Sequence, residues 1–386
     1  MWKTRLSELH FDGDEVAAAV DAIGSEWITT GPRTLAFEEA FARVAGTRHA
    51  VAVSNGTAAL ILALKGAGIG PGDEVLCPSL TFVATAAAVI HCGATPVFVD
   101  IIGPEDPTMD PEDAARRVTG RTRVLLPMHY AGLPCRMDEL NALARSHDLK
   151  VIEDAAHAPG ARYRNRPTGS LGTAGCFSLY ANKNITAAEG GVVTTDDANM
   201  AETLRRLRCH GMTASGWDRD RGQSAHYDVV DIGYNFRFDD IRAAIGLAQL
   251  RKLDRINRRR RELARIYSQA LELRFPEWVR PVPMADPDRA AVCHLFPVVL
   301  PTIAQRDALE HHLRDHGIQT SIHYRPVHTL TAFRRRFPGV RLPRTEQFGE
   351  RTLTLPLYPS MSEETVSGIV GCMPGLPSSA AVRTSA

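Results

Sequence analysis

Five short apolar runs recur along the first 155 residues: AVAV (50–53), EVLC (74–77), PVFV (96–99), RVLL (123–126) and KVIE (150–153). Each is β-rich, and helical patterns separate them, which is the order of an α/β domain. The runs are apolar almost throughout rather than alternating, so the predicted sheet is mainly parallel, with helices on both faces. Thr57, Leu60, Ile61 and Leu64 form one helical stripe, and a second helix is expected from about Asp138 to His147. In a sheet of this kind ligands bind beyond the carboxyl ends of the strands.

An amphipathic stretch over 241–271 is followed by proline-rich RPVPMADPDRA (280–290). The pattern predicts a large unit over 1–249 and a smaller one over 250–373. The small, polar tail 374–386 is expected to be disordered. Within the amphipathic stretch, Arg258 to Arg261 is read as a solvated helix face, since Ile256, Leu263 and Ile266 recur at near-helical spacing.

Composition narrows the field. In 386 residues, hydrophobic positions make up 44% and charged ones 23%, the balance of a folded globular protein. A formal charge of +1 gives no basis for a nucleic-acid or membrane partner, and the arginine run lacks the interleaved aromatics that nucleic-acid binding calls for. Seven cysteines are scattered with no C-x-x-C pair, so reduced thiols and no metal site are expected. No signal peptide and no run of 18 or more apolar residues is recognised, which sets a cytoplasmic expectation.

Three positions carry candidate chemistry. In SNGTAAL (54–60) a strand runs into a glycine turn and then a helix, so the amides of Gly56 and Thr57 can cradle a phosphate; an ordinary N-cap reads the same way. Asp154 emerges from the buried strand with His157 three residues on, either as a carboxylate at the ligand edge or as a helix cap. Lys183 follows the β-rich run that ends at Ser178. A loop lysine is ordinarily solvated, but one turned inward becomes the neutral amine that condenses with an aldehyde. All three fall at the ends of different strands of one unit.

Together with GIGPGDEVLCPSLTFVATA (68–86), VIEDAAHAPGA (151–161), GYNFRFDDIRAAIGLAQLRKLD (233–254) and GIQTSIHYRPVH (317–328), these segments resemble the sugar aminotransferases of the DegT, DnrJ, EryC and StrS type, a fold type I pyridoxal-phosphate family. The resemblance covers most of the chain. It implies an α/β large domain with a smaller C-terminal α+β domain, and pyridoxal 5'-phosphate as cofactor. Lys183 is implied as the Schiff-base lysine, Asp154 as the partner of the pyridine nitrogen and Phe82 as the residue stacked on the ring. Gly56, Thr57 and Ser178 would hold the phosphate, with Asn235 reaching it from the other subunit of a homodimer. His157 would lie beside the ring hydroxyl, while Glu189, His323, Tyr324 and His328 would face the substrate. Ala188 stands where the family often has Gly, which bears on the local backbone. The implied reaction moves an amino group from glutamate to a nucleotide-linked keto-sugar, a 4-keto-6-deoxy sugar first. A 3-keto-sugar, a keto-cyclitol or a non-catalytic regulatory role are the alternatives.

Overall fold

The computed structural model describes residues 2–214, 216–222, 226–276, 280–281 and 286–375. Two helices lead in, α1 (Gly13–Gly24) and α2 (Pro32–Ala45). The main sheet has seven strands: β1 (His49–Val53), β2 (Glu74–Pro78), β3 (Thr95–Val99), β4 (Thr122–Leu125), β5 (Lys150–Asp154), β6 (Ala174–Ser178) and β7 (Gly191–Thr195). Their spatial order is β1-β7-β6-β5-β4-β2-β3. Only β7 runs against the rest, pairing antiparallel with both β1 and β6. The carboxyl ends of β1, β2, β5 and β6 therefore open on one edge, and the chain enters β7 there through Gly190.

All five apolar runs became strands because they are short, rich in branched residues and bounded by turn formers. Alternate residues of each strand face opposite layers. Val51 and Val53 join α3 (Gly56–Gly66), α4 (Val83–His91) and the helix Ala198–Arg208 on one side, while Ala50 and Ala52 meet Phe37 and Phe41 of α2 on the other. Helix Met137–Ser146 lies within a residue of the span expected for it. The single apolar stripe expected for α3 is wrong in detail: Ala58 through Leu64 are all buried, because this helix is enclosed between the sheet and two neighbouring helices.

One long helix, α5 (Asp240–Arg274), carries the chain out of this unit. Its first half packs Ala243, Leu250, Leu253 and Ile256 beside α2; its second half sends Leu263, Tyr267 and Leu271 into a separate cluster. That cluster includes strands β8 (Phe296–Val299) and β9 (Thr352–Leu355) and helices α6 (Ile303–Asp315) and α7 (Glu363–Cys372). Residue 250 falls inside α5, so the helix is continuous where the pattern divided the chain. The arginine run also departs from expectation at one position. Arg258 and Arg261 are exposed, but Arg260 is buried and donates to the carbonyls of His294 (3.2 Å) and Leu357 (3.0 Å). A fourfold run covers a full helical turn, so one member has to face the interior. Residues 282–285 of the proline-rich segment and all of the tail after Gly375 lie outside the described residues.

Candidate functional site

At the end of β5, Asp154 is buried; its Oδ2 accepts from Thr85 Oγ1 at 2.7 Å and its Oδ1 from the Ala156 amide at 3.2 Å. Thr85 has only one hydroxyl hydrogen, which goes to the carboxylate, so Thr81 Oγ1 donates to Thr85 across 2.6 Å. Burial raises the Asp154 pKa above the ordinary carboxylate range, against the pull of the Thr85 and Ala156 bonds and of Lys183. Hydrogen bonds from neutral donors hold this carboxylate, and a cation placed on it would bring its pKa back down.

Lys183 sits in the loop between β6 and β7. Burial disfavours its ammonium and pushes its pKa down to about 8, with Asp154 opposing the shift. The loop is anchored on its far side. Asn184 Nδ2 donates to Asn257 Oδ1 (2.8 Å) and to the Val292 carbonyl (3.1 Å), and Asn257 Nδ2 donates to the Pro159 carbonyl (2.9 Å). Carbonyls only accept, so the direction of the whole chain is fixed: Asn184 presents Oδ1 to His294, and His294 must donate from Nδ1 across 3.0 Å.

The His294 ring lies 4.3 Å from that of buried His157. His157 Nε2 meets Tyr324 Oη at 3.0 Å, while its Nδ1 is buried without a partner. Burial holds the His157 pKa well below its usual value, with Lys183 and His323 adding to the effect, so the imidazole is neutral. Tyr324 also approaches Phe82, 6.1 Å between centroids. Phe82 is 56% exposed, a large apolar face left open at the mouth of the site. His323 bonds through Nδ1 to Thr354 Oγ1 at 2.9 Å; burial, helped by Lys183, brings its pKa down to about 4.

The candidate phosphate cradle lies at the start of α3. Asn55 caps the helix by accepting from Ala58 N at 2.8 Å, which leaves the Gly56 and Thr57 amides in its first turn pointing outward. The turn packs closely against β6 and β7 because two side chains are missing. A Cβ on Gly56 would stand 3.0 Å from Ser178 Cβ, and one on Gly191 would stand 2.4 Å from the Asn55 carbonyl oxygen.

The remaining positions divide. His328 is pinned on both nitrogens, to Ser79 Oγ (2.7 Å) and Glu346 Oε1 (3.1 Å). Glu189 is exposed, and Ala188 before it adopts φ +67, the left-handed conformation its glycine counterpart would take freely. Asn235 is exposed; the next residue, Phe236, accepts from Ser54 N at 2.9 Å and so holds this segment at the rim of the cradle. A cavity of about 790 Å³ lined by Arg205, Arg237 and Trp217 lies outside the Lys183 cluster. Sequence reasoning missed Thr85, Asn184 and His294. Thr85, one helical turn after Thr81, left a readable signal; His294 left none, since only folding brings it to His157.

The residues fit pyridoxal phosphate: a glycine turn that opens a helix, a buried carboxylate with no cation bonded to it among the described residues, a depressed lysine, an open aromatic face and an orphaned imidazole nitrogen. Fold and site together define a fold type I, pyridoxal-phosphate-dependent transaminase. Residues 10–374 match the sequence profile of the DegT/DnrJ/EryC1/StrS aminotransferase family, and the chain belongs to that family. Among solved structures it is similar to Spr1654 of Streptococcus pneumoniae, described as a sugar aminotransferase, in its PMP form (TM-score 0.90, 29% identity, covering 96% of this chain and 98% of that one). DesV of S. venezuelae, solved with a ketimine intermediate, is 38% identical over 93% of this chain and 92% of its own, TM-score 0.85. DesI, solved in the presence of its TDP-sugar product, is 32% identical over 95% and 90%, TM-score 0.83.

Proposed function

We propose that the protein transfers the amino group of glutamate to a nucleotide-linked keto-sugar, a 4-keto-6-deoxy sugar first, with Lys183 and Asp154 as the catalytic residues. The observation that carries this reading is the pairing, at one strand edge, of a lysine lowered to about 8 with a buried carboxylate that has no cation bonded to it among the described residues. When bound, pyridoxal phosphate supplies an aldehyde for the amine and an electron sink for the carbon that loses its proton.

The chain's own groups do the rest. Lys183 Nζ, whose neutral fraction burial raises far above that of an ordinary lysine, would hold the cofactor between turnovers, and once displaced by the donor it would carry the proton between the two carbon positions. Asp154, kept in place by Thr85 and Ala156, supplies the fixed anion that keeps a pyridine nitrogen protonated. Gly56, Thr57 and Ser178 bind the phosphate and fix ring tilt, and Phe82 stacks on the ring. His157, with Nε2 engaged by Tyr324, offers Nδ1 to the ring hydroxyl. Glu189, His323, Tyr324 and His328 line the substrate side, where His328 acts by holding its loop.

Asn235 serves the phosphate of a second copy in a homodimer. Support for a dimer is the apolar face of α1, where Val16 is 62% and Val20 64% exposed, and Ile232 near Asn235, 93% exposed. The same reading divides the chain into a cofactor unit up to residue 249 and a smaller unit over 250–373 joined through α5. All seven cysteines are free, which favours a reducing compartment, the cytoplasm. Among the described residues no helix is long and apolar enough to cross a membrane.

The DesI complex with a TDP-sugar supports the nucleotide-linked acceptor, and the SNGTAAL and TFVATA segments favour the 4-keto position. The test is a panel of acceptors. The enzyme in its amino-loaded form is offered nucleotide-linked 4-keto and 3-keto sugars and keto-cyclitols, and return of the cofactor absorbance is timed. Fastest return with a 4-keto sugar is expected; a 3-keto sugar or a keto-cyclitol in its place reassigns the acceptor.

A further inference from the structure

Far from the strand edge in sequence, the last turns of α6 and α7 finish side by side with three nitrogen and sulfur donors between them. His316, the residue that caps α6, follows His312 by four, so their rings stack at the end of the helix, with centroids 4.2 Å apart and planes inclined by 28°. Cys372, the last residue of α7, is a free thiol whose Sγ stands 3.8 Å from His312 Nε2. One donor atom from each of the three lies within 4.8 Å of the other two. His316 is exposed and the other two are half-buried, so the cluster opens to solvent. His312 Nε2 now donates to the Cys372 carbonyl at 2.8 Å and His316 Nδ1 to the His312 carbonyl at 2.8 Å.

We propose that His312, His316 and Cys372 form a binding site for a divalent transition-metal ion of the zinc class, which ties the end of α6 to the end of α7.

Three physical arguments converge. The first is donor type: one sulfur and two imidazoles select borderline-soft ions, whereas magnesium and calcium take oxygen ligands. Distance is the second. Tetrahedral zinc, with Zn–S about 2.3 Å and Zn–N about 2.1 Å, sets sulfur and nitrogen about 3.6 Å apart. The observed 3.8 Å between Cys372 and His312 is already close to that edge, and rotation of the exposed His316 side chain closes the wider gap. Field is the third, because both helices point their carboxyl ends here, and the partial negative charge of two helix dipoles favours a cation. Ligation through His312 Nε2 replaces its bond to the Cys372 carbonyl, which then turns to water. Three protein ligands leave the fourth position to solvent. Spacing in the sequence could not show this site, because the thiol lies 56 residues beyond His316 and reaches it only through the packing of α7.

None of the three residues belongs to the cofactor machinery, so the proposal stands or falls apart from the transaminase reading. The test is calorimetric titration of the cofactor-loaded, metal-free, reduced enzyme with zinc chloride, repeated with cobalt(II) to read sulfur-to-metal charge transfer. The expected result is binding near one ion per chain, weakened at least about tenfold in both Cys372→Ser and His316→Gln, as loss of one ligand from a three-ligand site requires. The near-ultraviolet cobalt band should disappear in Cys372→Ser and persist in Cys209→Ser, the other half-exposed cysteine. Zinc should also raise the melting temperature of the wild type but of neither ligand variant. Affinity unchanged in Cys372→Ser and His316→Gln, or no binding at micromolar zinc, overturns the site.

Discussion

Lys183 at about 8 has a consequence that an ordinary lysine at 10.5 lacks. The reactive species is the neutral amine, and its fraction rises with pH until the pKa is passed. For the cofactor-free protein, the rate of covalent capture of pyridoxal phosphate should climb about tenfold from pH 7 to pH 9 and then level off. An unshifted lysine would still be gaining about tenfold per pH unit at pH 9. Stopped-flow absorbance across this range separates the two, and a rate still rising steeply at pH 9.5 would mean that burial does not depress this amine. The neighbouring groups share the same logic. His157 and His323 are held neutral by burial beside Lys183, so neither competes with it for a proton in the working range.

Among the elements, the loop from β6 to β7 is where a local rule is broken. Ala188 holds φ +67, a conformation that costs a residue with a Cβ on the order of 1 kcal/mol. Ala188→Gly should therefore stabilise the enzyme by about 0.5–1 kcal/mol, less what glycine adds to the freedom of the unfolded chain. Denaturant unfolding reads this directly, and a destabilised variant would show that the loop is not strained. The same loop shows what the sequence could and could not disclose. Lys183 was legible because it follows an apolar strand at a fixed short distance, and the strands were legible because burial on both faces makes them continuously apolar. The clamp on Asn184 was not, because its partners Asn257, Val292 and His294 come from α5 and the segment after it, and no local pattern marks a hydrogen bond across that separation. Enclosure of α3 and burial of Arg260 escaped for a similar reason: periodicity tells which face is apolar, not how many neighbours surround it.

At the scale of the whole molecule, the N-terminal segment is fastened to the long helix α5. Lys252 of α5, 7% exposed, meets Glu15 of α1, 1% exposed, at 2.8 Å, and also pairs with Asp12 at the cap of α1. Lys252→Met leaves the Glu15 carboxylate without a cation, with the Gln249 side chain and the Asp12 amide as its neutral donors. Allowing for the exposed side of the cluster, the loss should be about 2 kcal/mol. Lys252→Met with Glu15→Gln should recover most of it, since the buried charge is then gone, and chemical denaturation of the pair against the single variant is the check. A stable single variant would mean that α1 is held by its apolar contacts alone. If the proposed dimer forms through α1, the single variant should also weaken self-association.

The central claim is that Lys183 exchanges the cofactor with an amino donor. The most direct measurement is a single half-reaction: glutamate is added to the loaded enzyme without any acceptor, and cofactor absorbance and released 2-oxoglutarate are followed together. The account predicts a spectral change in step with a single equivalent of 2-oxoglutarate per site, and neither in Lys183→Ala. No oxo-acid from glutamate or any other amino acid, with the cofactor shown to be bound at Lys183, would contradict it, as would an undiminished half-reaction in the variant.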